Sequence, residues 1–237
     1  MAETTLYCND CLEVLRGLPE KSVDLIVTDP PYQIDNTTAG GHSALARSIQ
    51  GMNDEIRNAN LCDGFNESVL SEMMRIMKAP NIYIWCNAKQ IPMYLQYFVM
   101  ERGCNFDILI WHKQNATPLF NNKYLTDKEY CLYFRRGGYC QPESYELAKT
   151  VFTQPINMKD KALYKHPTIK PLNIIETLVG NSSREDEVIC DPFMGSGTTG
   201  VAAVKANRNF IGIELNPEYY KIAEKRINAA KSQLSLF

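Results

Sequence analysis

The chain has 237 residues, 45% hydrophobic and 22% charged, with a formal net charge of −2, enough apolar content to bury one substantial α/β core. A near-neutral balance argues against a protein that grips nucleic acid by bulk electrostatics. No apolar stretch approaches the ~20 residues of a membrane span, and Met1 to Thr5 lack the basic and apolar regions of a secretion signal, so a cytoplasmic location is expected.

In chain order, Leu6 to Asn9 ends a strand, Cys11 to Leu18 forms a short helix, and Val23 to Thr28 reads as a buried strand. Directly after it comes Asp29-Pro30-Pro31-Tyr32. An aromatic amine attacks a methyl donor only when acceptors hold its N–H bonds, because its lone pair is delocalised into the ring. Asp29 offers one acceptor and the Pro30 carbonyl a second, on a loop stiffened by two prolines with fixed φ. Tyr32 offers a ring face for a flipped base. The competing reading is an ordinary Pro-Pro turn closing a strand.

Asn66 to Lys78 has helical periodicity and is stopped by Pro80. Asn81 to Cys86 is a strand, Gln90 to Arg102 a helix, and Phe106 to His112 and Glu129 to Arg135 are further strands. After a loop-rich stretch, Pro171 opens a helix through Val179. The strand at Val188 then leads into Asp191-Pro192-Phe193-Met194-Gly195-Ser196-Gly197-Thr198-Thr199-Gly200. A strand, a glycine turn and a helix from Thr198 to Ala206 make a nucleoside-binding pattern, with glycines where backbone approaches a ligand closely. Glu214 ends the next strand, at Phe210, where a carboxylate can hold both ribose hydroxyls. Gly195, Gly197, Gly200 and Glu214 suit a nicotinamide cofactor as well as S-adenosylmethionine. A last helix runs from Pro217 to about Lys231. Alternation of this kind implies a mostly parallel, doubly wound sheet with helices on both faces, and ligands at the carboxyl ends of its strands.

With both motifs in hand, the chain resembles the β-class amino-methyltransferases of DNA, in which the catalytic tetrapeptide precedes the glycine turn. The resemblance spans nearly the whole chain. It takes in Asn9-Asp10-Cys11-Leu12, Ser22 to Thr28, Ile110-Trp111-His112-Lys113 with Pro118, Glu129 to Phe134, His166-Pro167-Thr168-Ile169-Lys170-Pro171, and Gly212-Ile213-Glu214-Leu215. Two positions depart from the family pattern: Ile169 replaces the usual Gln or Glu, and Asn9 a usual Gly.

The resemblance implies a Rossmann-like, circularly permuted, seven-stranded methyltransferase sheet in one domain, residues 1–237, that moves a methyl group from S-adenosylmethionine to a flipped adenine in double-stranded DNA. Cytosine-N4 methylation and a catalytically silent nucleic-acid-binding subunit are the alternatives. Catalysis is expected from Asp29, Pro30, Pro31 and Tyr32. The cofactor is expected to lie against Asn9, Asp10, Cys11, Asp29, Lys170, Pro171, Asp191, Pro192, Phe193, Gly195, Ser196, Gly197, Thr198, Glu214, Leu215 and Asn216. Asp10 falls near the adenine of the cofactor, and Lys170 and Pro171 at its methionine end. Target recognition is expected within 33–64, 114–127 and 137–165, the first of them mobile without DNA. A homodimer is compatible with the family, and a restriction partner would fit it, but no interface is legible in the sequence.

Eight cysteines are scattered without a disulfide framework. Cys8 and Cys11 form a lone C-x-x-C with no second pair to complete a zinc site, and His42, His112 and His166 read as structural, so no metal is expected. Lys149, Lys159, Lys161, Lys165 and Lys170 face only Asp160 between residues 149 and 170, a stretch that suits phosphate contacts and, equally, a solvated surface loop.

Overall fold

The computed structural model describes residues 2–32, 67–118, 122, 124–164 and 169–234. Eight strands form one sheet: β1 (Thr4–Tyr7), β2 (Leu25–Thr28), β3 (Asn81–Cys86), β4 (Asn105–Lys113), β5 (Lys128–Arg135), β6 (Val151–Gln154), β7 (Val188–Asp191) and β8 (Asn209–Ile213). Their spatial order is β1-β8-β7-β2-β3-β5-β4-β6. Every pairing is parallel except those of β5, which runs against both β3 and β4. The sheet thus has one strand more than the seven expected, because Val151–Gln154 adds parallel to the outer edge of β4.

Helices cover both faces. On one lie α1 (Cys11–Gly17), α2 (Ser68–Ile76) and α3 (Ile91–Tyr94), the last continued by a π-helical segment, Leu95–Glu101. On the other lie α5 (Leu172–Ser182), α6 (Thr198–Lys205) and α7 (Pro217–Leu234), while α4 (Met158–Tyr164) precedes α5 in the connection from β6. The two-residue alternation of strands sorts the core. Leu25, Val27, Tyr83, Trp85, Ile189 and Phe210 pack toward α5, α6 and α7, while Ile26, Ile82, Ile84, Cys86 and Cys190 pack toward α1, α2 and α3. Both faces of the central strands are therefore apolar, as parallel sheets require.

The helix expected over Gln90 to Arg102 is regular only at its start. Tyr94 and Phe98, both buried, face the sheet across the change to π geometry, and the Phe98 ring stacks on Phe134 at 4.6 Å. Strand β6 and helix α4 occupy the stretch read as loop; four and seven residues are too short to carry a clear period. The 33–64 segment, with His42 and Cys62, lies outside the described residues, as do Lys165 and His166.

Strands β7 and β2 are neighbours, Leu25 opposite Ile189 and Ile26 opposite Cys190. Beyond β2 the chain order runs outward one way through β3, and beyond β7 it runs the other way through β8 and β1. This is the switch point at which doubly wound sheets open a crevice, and the two motifs, about 160 residues apart, leave the sheet side by side there.

Candidate active site

The crevice is a cavity of about 360 Å³. At the β8 end, Glu214 spans two loops: Oε2 accepts from Gly195 N at 2.9 Å and Oε1 from Asn216 N at 2.8 Å. Asp10 caps α1, its Oδ1 accepting from Leu12 N and Glu13 N at 2.9 and 3.1 Å. Asn9, Cys11, Phe193 and Leu215 complete this end.

The glycine turn forms the floor. Gly195 and Gly197 have φ of 51° and 81°, and a Cβ on Gly197 would stand 2.9 Å from Ala223 Cα, so only glycine fits there. Arg226 of α7 clamps the same turn, its Nη1 donating to Ser196 O at 2.6 Å, Ser196 Oγ at 2.9 Å and Thr198 Oγ1 at 3.3 Å. The guanidinium stacks on the Tyr164 ring at 4.1 Å, which ties α4 to the turn.

Asp191 ends β7 at the cavity wall. Its Oδ1 accepts from Thr28 Oγ1 at 2.8 Å and Phe193 N at 3.1 Å. Burial nonetheless outweighs these bonds and pushes its carboxyl up to about 7.

The β2 end carries a row of charges. Lys170, just before α5, donates to Asp29 Oδ2 and stands 2.7 Å from Glu129 Oε1. Glu129 Oε2 is 2.6 Å from Lys113 Nζ, and Tyr32 donates its hydroxyl to Glu129 Oε1 at 2.7 Å. The Lys170 ammonium also lies 5.5 Å from the Tyr32 ring centroid and 5.4 Å from that of Trp85. Burial would favour neutral forms throughout. Against it, the two ammonium groups hold Glu129 down at about 2, and the two carboxylates hold Lys170 above the ordinary lysine range. Asp29 is raised by burial and by Glu129, with Lys170 opposing. Burial raises Tyr32 far above an ordinary phenol, so it stays a donor.

Two buried polar atoms here have no hydrogen-bond partner among the described residues: Asp29 Oδ1, an acceptor, and Trp85 Nε1, a donor. Trp85 and Asp29 both line the cavity. Buried polar groups without partners are rare in folded chains, and a ligand with an amino group suits the first. The acidic site at one end, the glycine floor and the unpaired carboxylate oxygen at the other together fit an elongated nucleoside bearing a cationic tail.

Of the residues expected at the site, Asn9, Asp10, Cys11, Asp29, Pro31, Lys170, Asp191, Pro192, Phe193, Gly195, Ser196, Thr198, Glu214, Leu215 and Asn216 line this one cavity. Pro30 is buried and Pro171 caps α5, Gly197 faces Ala223, and Tyr32 turns toward Glu129. Ile169 is on the wall, joined by Thr28, Trp85, Ile175, Met194, Thr199, Pro217 and Tyr219. Lys170 is 6% exposed, which removes it from any phosphate-contacting stretch. Lys149 is paired with Glu146 at 2.7 Å. Among the described residues no cluster of three metal-ligating side chains occurs, and no helix is long and apolar enough to cross a membrane.

Known proteins share both the sequence and the sheet. The chain is 34% identical over 240 residues to the type II methyltransferase M2.LlaDCHI of Lactococcus lactis subsp. cremoris, covering 92% of this chain and 87% of the relative. It is 29% identical over 237 residues to M2.MboI of Moraxella bovis, with 93% and 86% covered. The M1.HpyAVI–SAM complex superposes with a TM-score of 0.65 at 25% identity over 94% of this chain and 99% of that one. The cytosine-N4-specific PvuII DNA methyltransferase reaches a TM-score of 0.67 at 16% identity, over 99% and 93%, which speaks to the fold alone. The DNA methylase family model matches residues 23–225, and with the two motifs converging on one crevice, the chain belongs to the N6/N4 DNA methylase family.

Proposed function

We propose that the protein is a DNA adenine-N6 methyltransferase using S-adenosylmethionine, built as one domain whose segments within 33–64, 114–127 and 137–165 read the target. The observation that carries this reading is the buried, unpartnered Asp29 Oδ1 at the end of a cavity whose other end is Glu214. When bound, S-adenosylmethionine supplies an electrophilic methyl on a sulfonium. Glu214 would hold the ribose, Asp191, Phe193 and the glycine turn would cradle the methionine portion, and Asp10 would lie near the adenine.

Asp29 Oδ1 accepts one N–H of the target amine, the Pro30 carbonyl accepts the other, and the nitrogen lone pair turns toward the methyl. The lone pair would thus be presented to the methyl that the cofactor supplies, with sulfur keeping the C–S electron pair, and Asp29 is the group placed to take the proton that the nitrogen would lose. Lys170 holds Asp29 Oδ2, so the free oxygen is fixed in direction. Gln90 Nε2 donates to Pro31 O at 3.3 Å and restrains the proline loop. Catalysis on this account is mainly positioning. Tyr32 stacks on the extruded base, returning about 1–3 kcal/mol of the cost of flipping.

Asp29→Ala should abolish methyl transfer in a tritium assay with duplex DNA while leaving cofactor affinity within about three-fold; a fully active variant would refute the assignment. Digestion of DNA from cells expressing the protein, followed by mass spectrometry of the nucleosides, should yield N6-methyladenine. N4-methylcytosine there would replace adenine with cytosine as the target and leave the mechanism intact.

A further inference from the structure

We infer that Glu129 is a positioning residue of the methyl-transfer centre, fixing Tyr32 by its hydroxyl and Lys170 by its ammonium while Lys113 anchors it from behind. The inference rests on the reading of Asp29 and Tyr32 given above. Glu129 Oε1 receives both Tyr32 and Lys170 at 2.7 Å, and Oε2 is taken by Lys113 at 2.6 Å. One carboxylate therefore joins the proline loop, the start of α5, and strands β5 and β4. Its side chain is 11% exposed, and it touches the base-stacking ring at the only polar atom that ring has.

The placement follows from strand direction. Because β5 is reversed, its first residues lie at the rim where the parallel strands end. Glu129, Cys131 and Tyr133 share one face of β5, and Leu109, Trp111 and Lys113 the same face of β4, with Trp111 opposite Glu129. The Lys113 ammonium lies 4.9 Å from the Trp111 ring. Asp29, Lys170, Glu129 and Lys113 form an alternating row with no net charge. Neutralising Glu129 would leave an excess cation beside a site meant for a sulfonium, and would free Lys170 to reach the remaining oxygen of Asp29, Oδ1, in competition with the amine. A buried row of this kind is a weak source of stability. Its geometric yield is two orientations: the plane of the Tyr32 ring and the free edge of the Asp29 carboxylate.

Neither Glu129 nor Lys113 lines the cofactor cavity, so the effect should fall on transfer and leave cofactor binding in place. The test measures single-turnover methylation of duplex DNA, and calorimetric affinity for S-adenosylhomocysteine, in Glu129→Gln, Tyr32→Phe and the double variant. Glu129→Gln should lose about ten-fold or more in rate with S-adenosylhomocysteine affinity within about two-fold. The double variant should be no slower than Glu129→Gln by more than about two-fold, since both changes cut the same tether. Should Glu129→Gln fail to fold, Glu129→Asp keeps the charge, withdraws it by one methylene, and is held to the same criteria. A folded Glu129 variant with the parent rate, or rate losses that multiply in the double variant, overturns the inference. An inactive Asp29→Ala beside a fully active Glu129→Gln would sink this inference alone, whereas an active Asp29→Ala would sink the catalytic reading beneath it.

Discussion

Asp191 is held in the cavity wall by Thr28 and Phe193 yet carries a carboxyl raised to about 7 by burial. An acid raised in this way binds its proton in the folded chain while the unfolded chain has already lost it. The folded state is thus favoured below about pH 4, and that advantage is lost as pH climbs through about 7. Asparagine is neutral at every pH and keeps an acceptor for Thr28. In cofactor-free protein, the melting temperature of Asp191→Asn should gain on the parent from pH 5 to about pH 7 and level off above it, and a pH-independent difference would contradict the burial account. Residues of this kind are legible in the sequence, since Asp29, Asp191 and Glu214 each follow an apolar run. Glu129, Lys113 and Arg226 are not. Glu129 and Lys113 gain their meaning from register across β4 and β5, and Arg226 from the packing of α7 under the glycine turn, neither of which leaves a local pattern. Glu129 and Lys113 did stand within the segments that carry the family resemblance, but nothing there distinguished them from their neighbours.

At the level of elements, the glycine turn shows what its sequence pattern is for. Gly197 combines φ of 81° with a Cβ site 2.9 Å from Ala223 backbone. Gly200 approaches Ile227 Cδ1 so closely that a Cβ would lie 2.4 Å away, letting α6 and α7 pack tightly. Gly180, inside α5, has nothing within 4 Å of its Cβ site. Gly197→Ala should therefore destabilise by about 2–4 kcal/mol, from left-handed strain plus overpacking, whereas Gly180→Ala should stabilise by up to about 1 kcal/mol. Thermal melts of the two variants check both signs. Long periodic elements such as β3 and α7 are readable almost to their ends. The missed ones, β6 and α4, are short, and the π segment after Tyr94 keeps an apolar spacing that a regular helix would show equally well.

On the scale of the whole molecule, the permuted order of motifs and the doubly wound sheet were readable because alternation of strand and helix fixes which strands can be parallel. The rule that ligands gather at carboxyl ends of strands then located the crevice. The same rule hid Glu129, because on the reversed β5 the rim is reached by the amino end. That reversal also governs the connection between β4 and β5. It leaves the sheet at Lys113 and returns at Lys128, with His112 set 3.5 Å from Asp127 across its base. Lys113, the last residue before it, and Glu129, the second residue of β5, are partners in the buried row. On the proposed reading, in which this connection contributes to target recognition, it springs from the residues that steer the tyrosine and the lysine, so exchanging it to alter sequence preference should pull on the chemistry in the same stroke, and turnover should drift along with selectivity.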